Sequence, residues 1–127
     1  MKTIRQTYHI HASIQKVWQA LVDPKDIEGW GGGPAKMDDK KGTEFSLWDG
    51  EVFGVNKEVA PYKKLVQEWY GGKWDQPSMA TFSLHKEEDG TRIDFLHENV
   101  PDNEFIDIEQ GWKDYYLGPL KDYVEEK

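Results

Sequence analysis

The chain has 127 residues, which is enough for one ordinary domain with a buried core. It contains 16 Lys and Arg against 24 Asp and Glu, and its formal net charge is −8. Residues 88–127 carry 12 of the acids and only 4 bases, so we expect no nucleic acid and no anionic membrane as a partner, while a basic protein surface stays open. The absence of Cys excludes disulfides, thiolate metal sites and cysteine nucleophiles.

The mean hydropathy of −0.83 and the 31% of charged residues would suit a disordered chain, but the aromatic content indicates a folded one. No apolar run approaches the roughly 20 residues that span a bilayer, and residues 1–10 lack the apolar core of a signal peptide. We therefore expect a cytoplasmic monomer without membrane insertion, folded as a single domain over residues 1–127. Aromatic residues make up 13% of the chain, which favours a folded core that is either filled or holds a cavity.

The first third of the chain predicts one strand and two short helices. Polar and apolar residues alternate over residues 3–11, the period of a half-buried strand. Ser13 is a good N-cap, and the apolar residues that follow recur at helical spacing until about Asp23. Asp23 and Pro24 give a second helix start, and the glycines after Trp30 end that helix.

The middle of the chain predicts a run of antiparallel strands. Four turn signals divide it, at Lys41-Gly42, Asp49-Gly50, Gly71-Gly72 and Asp89-Gly90. The strands are expected near residues 35–39, 43–48, 51–59, 63–70, 77–87 and 91–99. Their alternation indicates a sheet with one covered face and one wet face.

The last segment predicts a long amphipathic helix that begins at Asp102 or Asn103 and runs to Lys127. Its apolar stripe consists of Phe105, Ile108, Trp112, Tyr116, Leu120, Tyr123 and Val124. Pro119 lies in the middle of this pattern, where proline removes a backbone hydrogen bond, so we expect a kink close to Tyr115.

These elements predict an α+β fold in which the terminal helix covers the apolar face of the sheet. Bulky rings on both layers leave room for an unfilled space if the sheet curves around the helix. Such a space would suit a small apolar ligand.

Several short motifs in this order resemble one family. They are Ala12–Leu21, Asp23-Pro24, Gly42–Phe45, Gly54, Pro61–Val66 with Trp69, Asp89–Ile93 with His97-Glu98, and Gly111-Trp112. From about Ile4 to Val124 the chain resembles the homologues of the C-terminal domain of the activator of the 90-kDa heat-shock protein ATPase. That family belongs to the START-like (SRPBCC, birch-pollen-allergen-like) superfamily.

The resemblance implies a helix-grip fold. In this fold a curved antiparallel sheet of six to seven strands wraps around a long C-terminal helix and encloses a hydrophobic cavity. Superfamily members bind lipids, hormones or polyketides, and a few are cyclases or hydrolases. The interrupting Gly118-Pro119 departs from the family pattern. The resemblance does not include the N-terminal domain with which the eukaryotic activator meets its chaperone, so we do not transfer the chaperone role.

Two polar side chains and seven rings are the candidate ligand-binding residues. Gln67 and His97 share the inward face of their strands with apolar neighbours, where they would either orient a ligand carbonyl or hydroxyl or find internal partners. The rings would line the pocket or fill it. They are Trp30, as a movable lid or a core residue, and Phe45, Trp69, Phe82, Phe95, Trp112 and Tyr116.

No residue pattern predicts catalysis, a metal site or a cofactor. His9 and His11 share a face, but that face is polar and no third ligand is nearby. No serine lies in a nucleophile elbow, and the carboxylates are not paired.

We therefore predict that the chain binds a small, mainly hydrophobic molecule between the sheet and the terminal helix. Two alternatives stay open. One is a co-chaperone-like or stress-related module that binds a chaperone or another protein, and the other is a cyclase- or hydrolase-like enzyme that uses the same cavity.

Overall fold

A computed structural model describes residues 1–71, 74 and 76–126. The predicted turn at Gly71-Gly72 and the helix end at Lys127 extend beyond these residues. The strands are β1 (Lys2–Ile10), β2 (Glu44–Leu47), β3 (Val52–Ala60), β4 (Lys64–Gly71), β5 (Ser78–Glu87) and β6 (Gly90–Val100). The α-helices are α1 (Ile14–Val22), α2 (Pro24–Trp30), α3 (Phe105–Gly111) and α4 (Gly118–Glu125), with a π-helical stretch, Trp112–Leu117, between the last two.

Within the described residues, six strands form one antiparallel sheet in the order β1-β6-β5-β4-β3-β2. The sheet curves around the C-terminal helix, as the α+β helix-grip prediction required. Alternate residues of β5 and β6 are buried, as are Leu65, Gln67 and Trp69 of β4, and rings from all three strands contact the C-terminal helix. The inward faces of these three strands therefore match the predicted pattern.

The predicted strand at 35–39 is wrong, because this segment makes only an isolated bridge between Lys36 and Ser46. Its backbone is held by a side chain instead. Asn56 Nδ2 donates to the carbonyl oxygens of Asp38 and Lys40 at 3.1 and 3.2 Å, and Asn56 is fully buried. These carbonyls thus satisfy a buried amide and do not extend the sheet.

The two short helices begin and end at the predicted signals. The Ser13 side chain accepts a hydrogen bond from the Lys16 N–H, which caps α1. Asp23 ends α1 through its own N–H and caps α2 through its carboxylate, which accepts from the Lys25 N–H. Gly31 follows α2 with a φ of 107°, a left-handed conformation that favours glycine.

The C-terminal helix contains the predicted interruption, in the form of a widened turn. Pro119 has no N–H to donate, and over Trp112–Leu117 the backbone bonds span five residues, so that the Gly118 N–H donates to the Lys113 carbonyl. A Cβ on Gly118 would lie 2.1 Å from that carbonyl oxygen. The widened turn therefore depends on glycine at position 118.

The core lies between the sheet and the helices. Trp112, Tyr116, Leu117, Leu120 and Val124 of the C-terminal helix are buried, and α1 and α2 add a second set of buried apolar side chains. In the part of the chain that the structure describes, no helix has the length and apolar character to cross a membrane.

Candidate functional site

An open groove lies between the C-terminal helix and one end of the sheet. One part of it has a volume of about 450 Å³ and is lined by Trp48, Glu51, Val52, Trp69, Asp107, Ile108, Gly111, Trp112, Tyr115 and Tyr116. A second hollow of about 650 Å³ shares four of these residues and adds Gly71, Trp74 and Glu104. We call the combined space the groove.

Local structure positions the aromatic wall of the groove. Trp48 lies in the turn between β2 and β3, and its backbone N–H and indole N–H donate to the carbonyls of Gly32 and Gly31. The glycine segment after α2 thus anchors this ring. The Trp112 and Tyr116 rings are 4.7 Å apart on the π-helical stretch, and Trp69 lies 5.1 Å from Trp112.

Three of the nine predicted ligand-binding residues line the groove, namely Trp69, Trp112 and Tyr116. Phe82 and Phe95 are buried beneath them, with the Phe95 ring 4.2 Å from that of Trp112. These two rings fill the space between sheet and helix, so the free volume lies at the end of the sheet and not in its centre.

Two other predicted rings are also core residues. Trp30 is 6% exposed, donates its indole N–H to the Ala20 carbonyl at 2.8 Å and packs 4.6 Å from the Tyr116 ring. Phe45 is 2% exposed and lies in the core on β2. Neither of them lines the groove.

His97 forms the centre of a buried hydrogen-bond chain. The Trp112 indole N–H donates to His97 Nδ1 at 2.9 Å. Because an indole nitrogen only donates, Nδ1 is unprotonated and Nε2 carries the hydrogen. His97 Nε2 therefore donates to Ser78 Oγ at 2.8 Å, and the Ser78 hydroxyl donates to the Trp69 carbonyl at 2.6 Å.

These hydrogen bonds keep His97 neutral and leave Ser78 inactive as a nucleophile. Burial lowers the pKa of His97 from 6.5 to about 3. A base that activates serine must present a bare nitrogen to the hydroxyl, whereas His97 presents an N–H. Its second nitrogen is occupied by Trp112, so the pair lacks the arrangement that a hydrolase needs.

Gln67 also finds internal contacts, on the β3 side of the sheet. Its Nε2 donates to Asn56 Oδ1 at 3.1 Å and lies 3.6 Å from Met37 Sδ. Its Oε1 is buried without a partner among the described residues. Gln67 and His97 thus belong to two different internal networks, and neither residue lines the groove.

Two groove side chains keep unpartnered polar atoms. Trp69 Nε1 and the Tyr116 hydroxyl are buried, and neither has a hydrogen-bond partner among the described residues. Burial raises the pKa of Tyr116, which is 1% exposed, so its hydroxyl remains protonated. An unsatisfied buried donor costs roughly 1–3 kcal/mol. Outside the groove, Trp18 Nε1 is likewise buried without a partner among the described residues.

The rim of the groove consists of residues that the sequence does not single out. Glu51, Asp107 and Tyr115 are exposed, and Trp48 and Ile108 are partly exposed. Nothing in the periodicity separates these residues from ordinary surface positions. Among the described residues, no group of three or more His, Asp or Glu side chains is arranged as metal ligands.

Comparison with known proteins places the chain in a family. A family model described as Activator of Hsp90 ATPase homolog 1-like protein matches residues 11–125. The activator of 90 kDa heat shock protein ATPase homolog from Dictyostelium discoideum is 25% identical over 123 residues, which cover 94% of this chain and 32% of that protein. The chain thus spans about a third of the length of that curated relative.

Solved structures share the fold at lower identity. An HSP90 activator from Plasmodium falciparum matches with a TM-score of 0.85 and 22% identity over 93% of this chain and 92% of that one. The Aha1 dimer from Colwellia psychrerythraea matches with a TM-score of 0.84 and 21% identity over 98% and 97%. The chain therefore belongs to the Activator of Hsp90 ATPase homolog 1-like family and has its helix-grip fold.

Proposed function

We propose that this chain binds a small, mainly apolar molecule in the groove between the C-terminal helix and the end of the sheet. The observation that carries the proposal is the aromatic wall of Trp48, Trp69, Trp112 and Tyr116 around a volume of about 450 Å³. Ligand sites commonly measure 300–1,000 Å³ and combine apolar walls with a few polar groups.

The polar atoms of the wall support the same proposal. The Tyr116 hydroxyl and Trp69 Nε1 each gain a partner if a ligand with one acceptor reaches them after a small ring movement. Since each unsatisfied donor costs roughly 1–3 kcal/mol, a ligand that satisfies one of them recovers part of that cost. An apolar body with one hydroxyl or carbonyl group fits this requirement.

The test is to fill the groove with a side chain. Gly111 lines the groove from a helical position, and a Cβ there would have Tyr115 Cδ2 as its nearest neighbour at 3.9 Å. Gly111→Leu should therefore fold and occupy the ligand space. Calorimetry measures the binding of 4-phenyl-1-butanol to both proteins. We expect the alcohol to bind the unmodified chain and to bind the variant at least tenfold more weakly. A tenfold change corresponds to a loss of about 1.4 kcal/mol in binding free energy.

The matched control is Gln110→Leu. Gln110 is exposed, lies next to Gly111 and does not line the groove, so the same leucine there should leave binding unchanged. Equal binding by both variants would show that the alcohol binds elsewhere, and no binding by the unmodified chain would refute the proposal.

A second candidate function is binding to the ATPase of the 90 kDa heat-shock protein, as the names of the relatives suggest. One surface feature favours it. Phe53 and Tyr70 stack at 5.2 Å on the outer face of the sheet, and Phe53 is 41% exposed. Stimulation of the ATPase by this chain, abolished in Phe53→Ser but kept in Gly111→Leu, would support it.

A further inference from the structure

The rim of the groove carries charge of one sign. Among the described residues that line it, the charged ones are Glu51, Glu104 and Asp107, all acidic. The groove therefore combines apolar walls with a net negative rim.

Within the described residues, no base neutralises these three carboxylates. Elsewhere acidic groups contact bases, as in the pairs His9 with Glu87, Lys57 with Glu68 and Lys121 with Glu125. The three rim acids form no ion pair with Lys, Arg or His in the part of the chain that the structure describes. Among the residues that the structure describes, the Glu104 carboxylate accepts one hydrogen bond, from the neutral indole N–H of Trp74.

A concave apolar surface strengthens the effect of such charges. Low-dielectric walls concentrate the field of carboxylates at the mouth of a cleft and raise the local concentration of cations. Aromatic rings add to this attraction, because the face of a Trp or Tyr ring attracts a cation within about 6 Å of its centre. Trp48 and Tyr115 line the groove together with Glu51 and Asp107.

Resting on the proposed function, we propose that the groove selects organic cations, with the apolar body against Trp69 and Trp112 and an ammonium group at the rim between the carboxylates and the rings. A quaternary ammonium suits this rim, because it needs no hydrogen-bond acceptor and is stabilised by charge and by ring faces. Anions of the same shape are repelled.

Three probes with one common body test the charge preference. They are 4-phenylbutyltrimethylammonium, 4-phenyl-1-butanol and 5-phenylpentanoate, and calorimetry measures their dissociation constants at low and high NaCl concentration. We expect the cation to bind about tenfold more tightly than the alcohol at low salt, with a smaller advantage at high salt, and the anion to bind most weakly.

A matched pair of double variants separates the rim from the overall negative charge. Glu51→Gln with Asp107→Asn removes two rim acids, whereas Asp122→Asn with Glu126→Gln removes two exposed acids of the same types outside the groove. The first pair should abolish most of the cation's advantage over the alcohol, and the second pair should preserve that advantage.

The outcomes separate this inference from the function on which it rests. If the alcohol binds in the groove but the cation binds no more tightly, or if both double variants reduce the advantage equally, the charge selection is wrong and the groove function stands. If none of the three probes binds, both proposals are refuted.

Discussion

At the scale of single residues, His97 shows how an inward polar group is used internally. The alternation of β6 places it on the inward face with Ile93 and Phe95, and from this position the sequence predicts either a ligand contact or an internal partner. The structure gives both ring nitrogens protein partners, Trp112 and Ser78. A sequence does not reveal this, because the three residues come from β5, β6 and the C-terminal helix and meet only in the folded chain.

The burial of His97 predicts an acid-sensitive fold. The imidazole pKa is 6.5 when exposed and about 3 in the folded chain, so below pH 6.5 the unfolded state binds a proton that the folded state does not. Stability is therefore unaffected by this group above pH 6.5 and falls as the pH drops towards 3. The expected loss from about pH 7 to about pH 5 is about 2 kcal/mol.

Urea unfolding of the chain and of His97→Gln measures this loss. Glutamine retains one donor and one acceptor but does not titrate in this range. Between about pH 7 and about pH 5, the unfolding free energy of the variant should fall by about 2 kcal/mol less than that of the unmodified chain. Parallel pH profiles for the two proteins would show that His97 is not the titrating group.

At the scale of secondary-structure elements, local signals predicted most of the fold. The Ser13 and Asp23 caps, the alternation in β4–β6 and the apolar stripe of the C-terminal helix each depend on neighbours in sequence. The failure at 35–39 has a long-range cause, because the carbonyls of Asp38 and Lys40 are claimed by Asn56 of β3. Proline in a helix predicts an interruption but does not distinguish a kink from a π-helical stretch.

The π-helical stretch makes Gly118 a sensitive position. In an ordinary helix, Gly→Ala stabilises by up to about 1 kcal/mol. At position 118 the new methyl would meet the Lys113 carbonyl oxygen at 2.1 Å, so we expect Gly118→Ala to destabilise by about 1–3 kcal/mol.

Gly111→Ala is the matched control for Gly118→Ala. Gly111 has helical φ and ψ, and the nearest atom to a new Cβ is 3.9 Å away. Thermal or urea unfolding should therefore show slight stabilisation at position 111 and destabilisation at 118. Stabilisation by both alanines would mean that the helix is not widened at Lys113.

At the scale of the whole molecule, the net charge of −8 has a more specific distribution than the sequence indicated. Twelve of the acids lie in residues 88–127. Two of them, Glu104 and Asp107, border the groove together with Glu51, which lies in the turn between β2 and β3. Their association depends on the curvature of the sheet around the helix, which no local pattern encodes.

The same long-range geometry explains which parts of the candidate site were predictable. The inward rings Trp69, Trp112 and Tyr116 follow from strand and helix periodicity. The rim residues Trp48 and Tyr115 occupy a turn and the partly solvated side of a helix, where sequence patterns do not separate a binding surface from an ordinary one.

The most direct measurement of ligand binding in the groove is an NMR titration of the ¹⁵N-labelled chain with 4-phenyl-1-butanol. We predict saturable shifts of the indole N–H signals of Trp69 and Trp112 and of the Gly111 amide. Trp18 is buried, packs near Tyr62 and lies outside the groove. Its indole N–H signal should therefore not shift. Absent shifts, or shifts as large at Trp18 as at Trp69, would contradict the account.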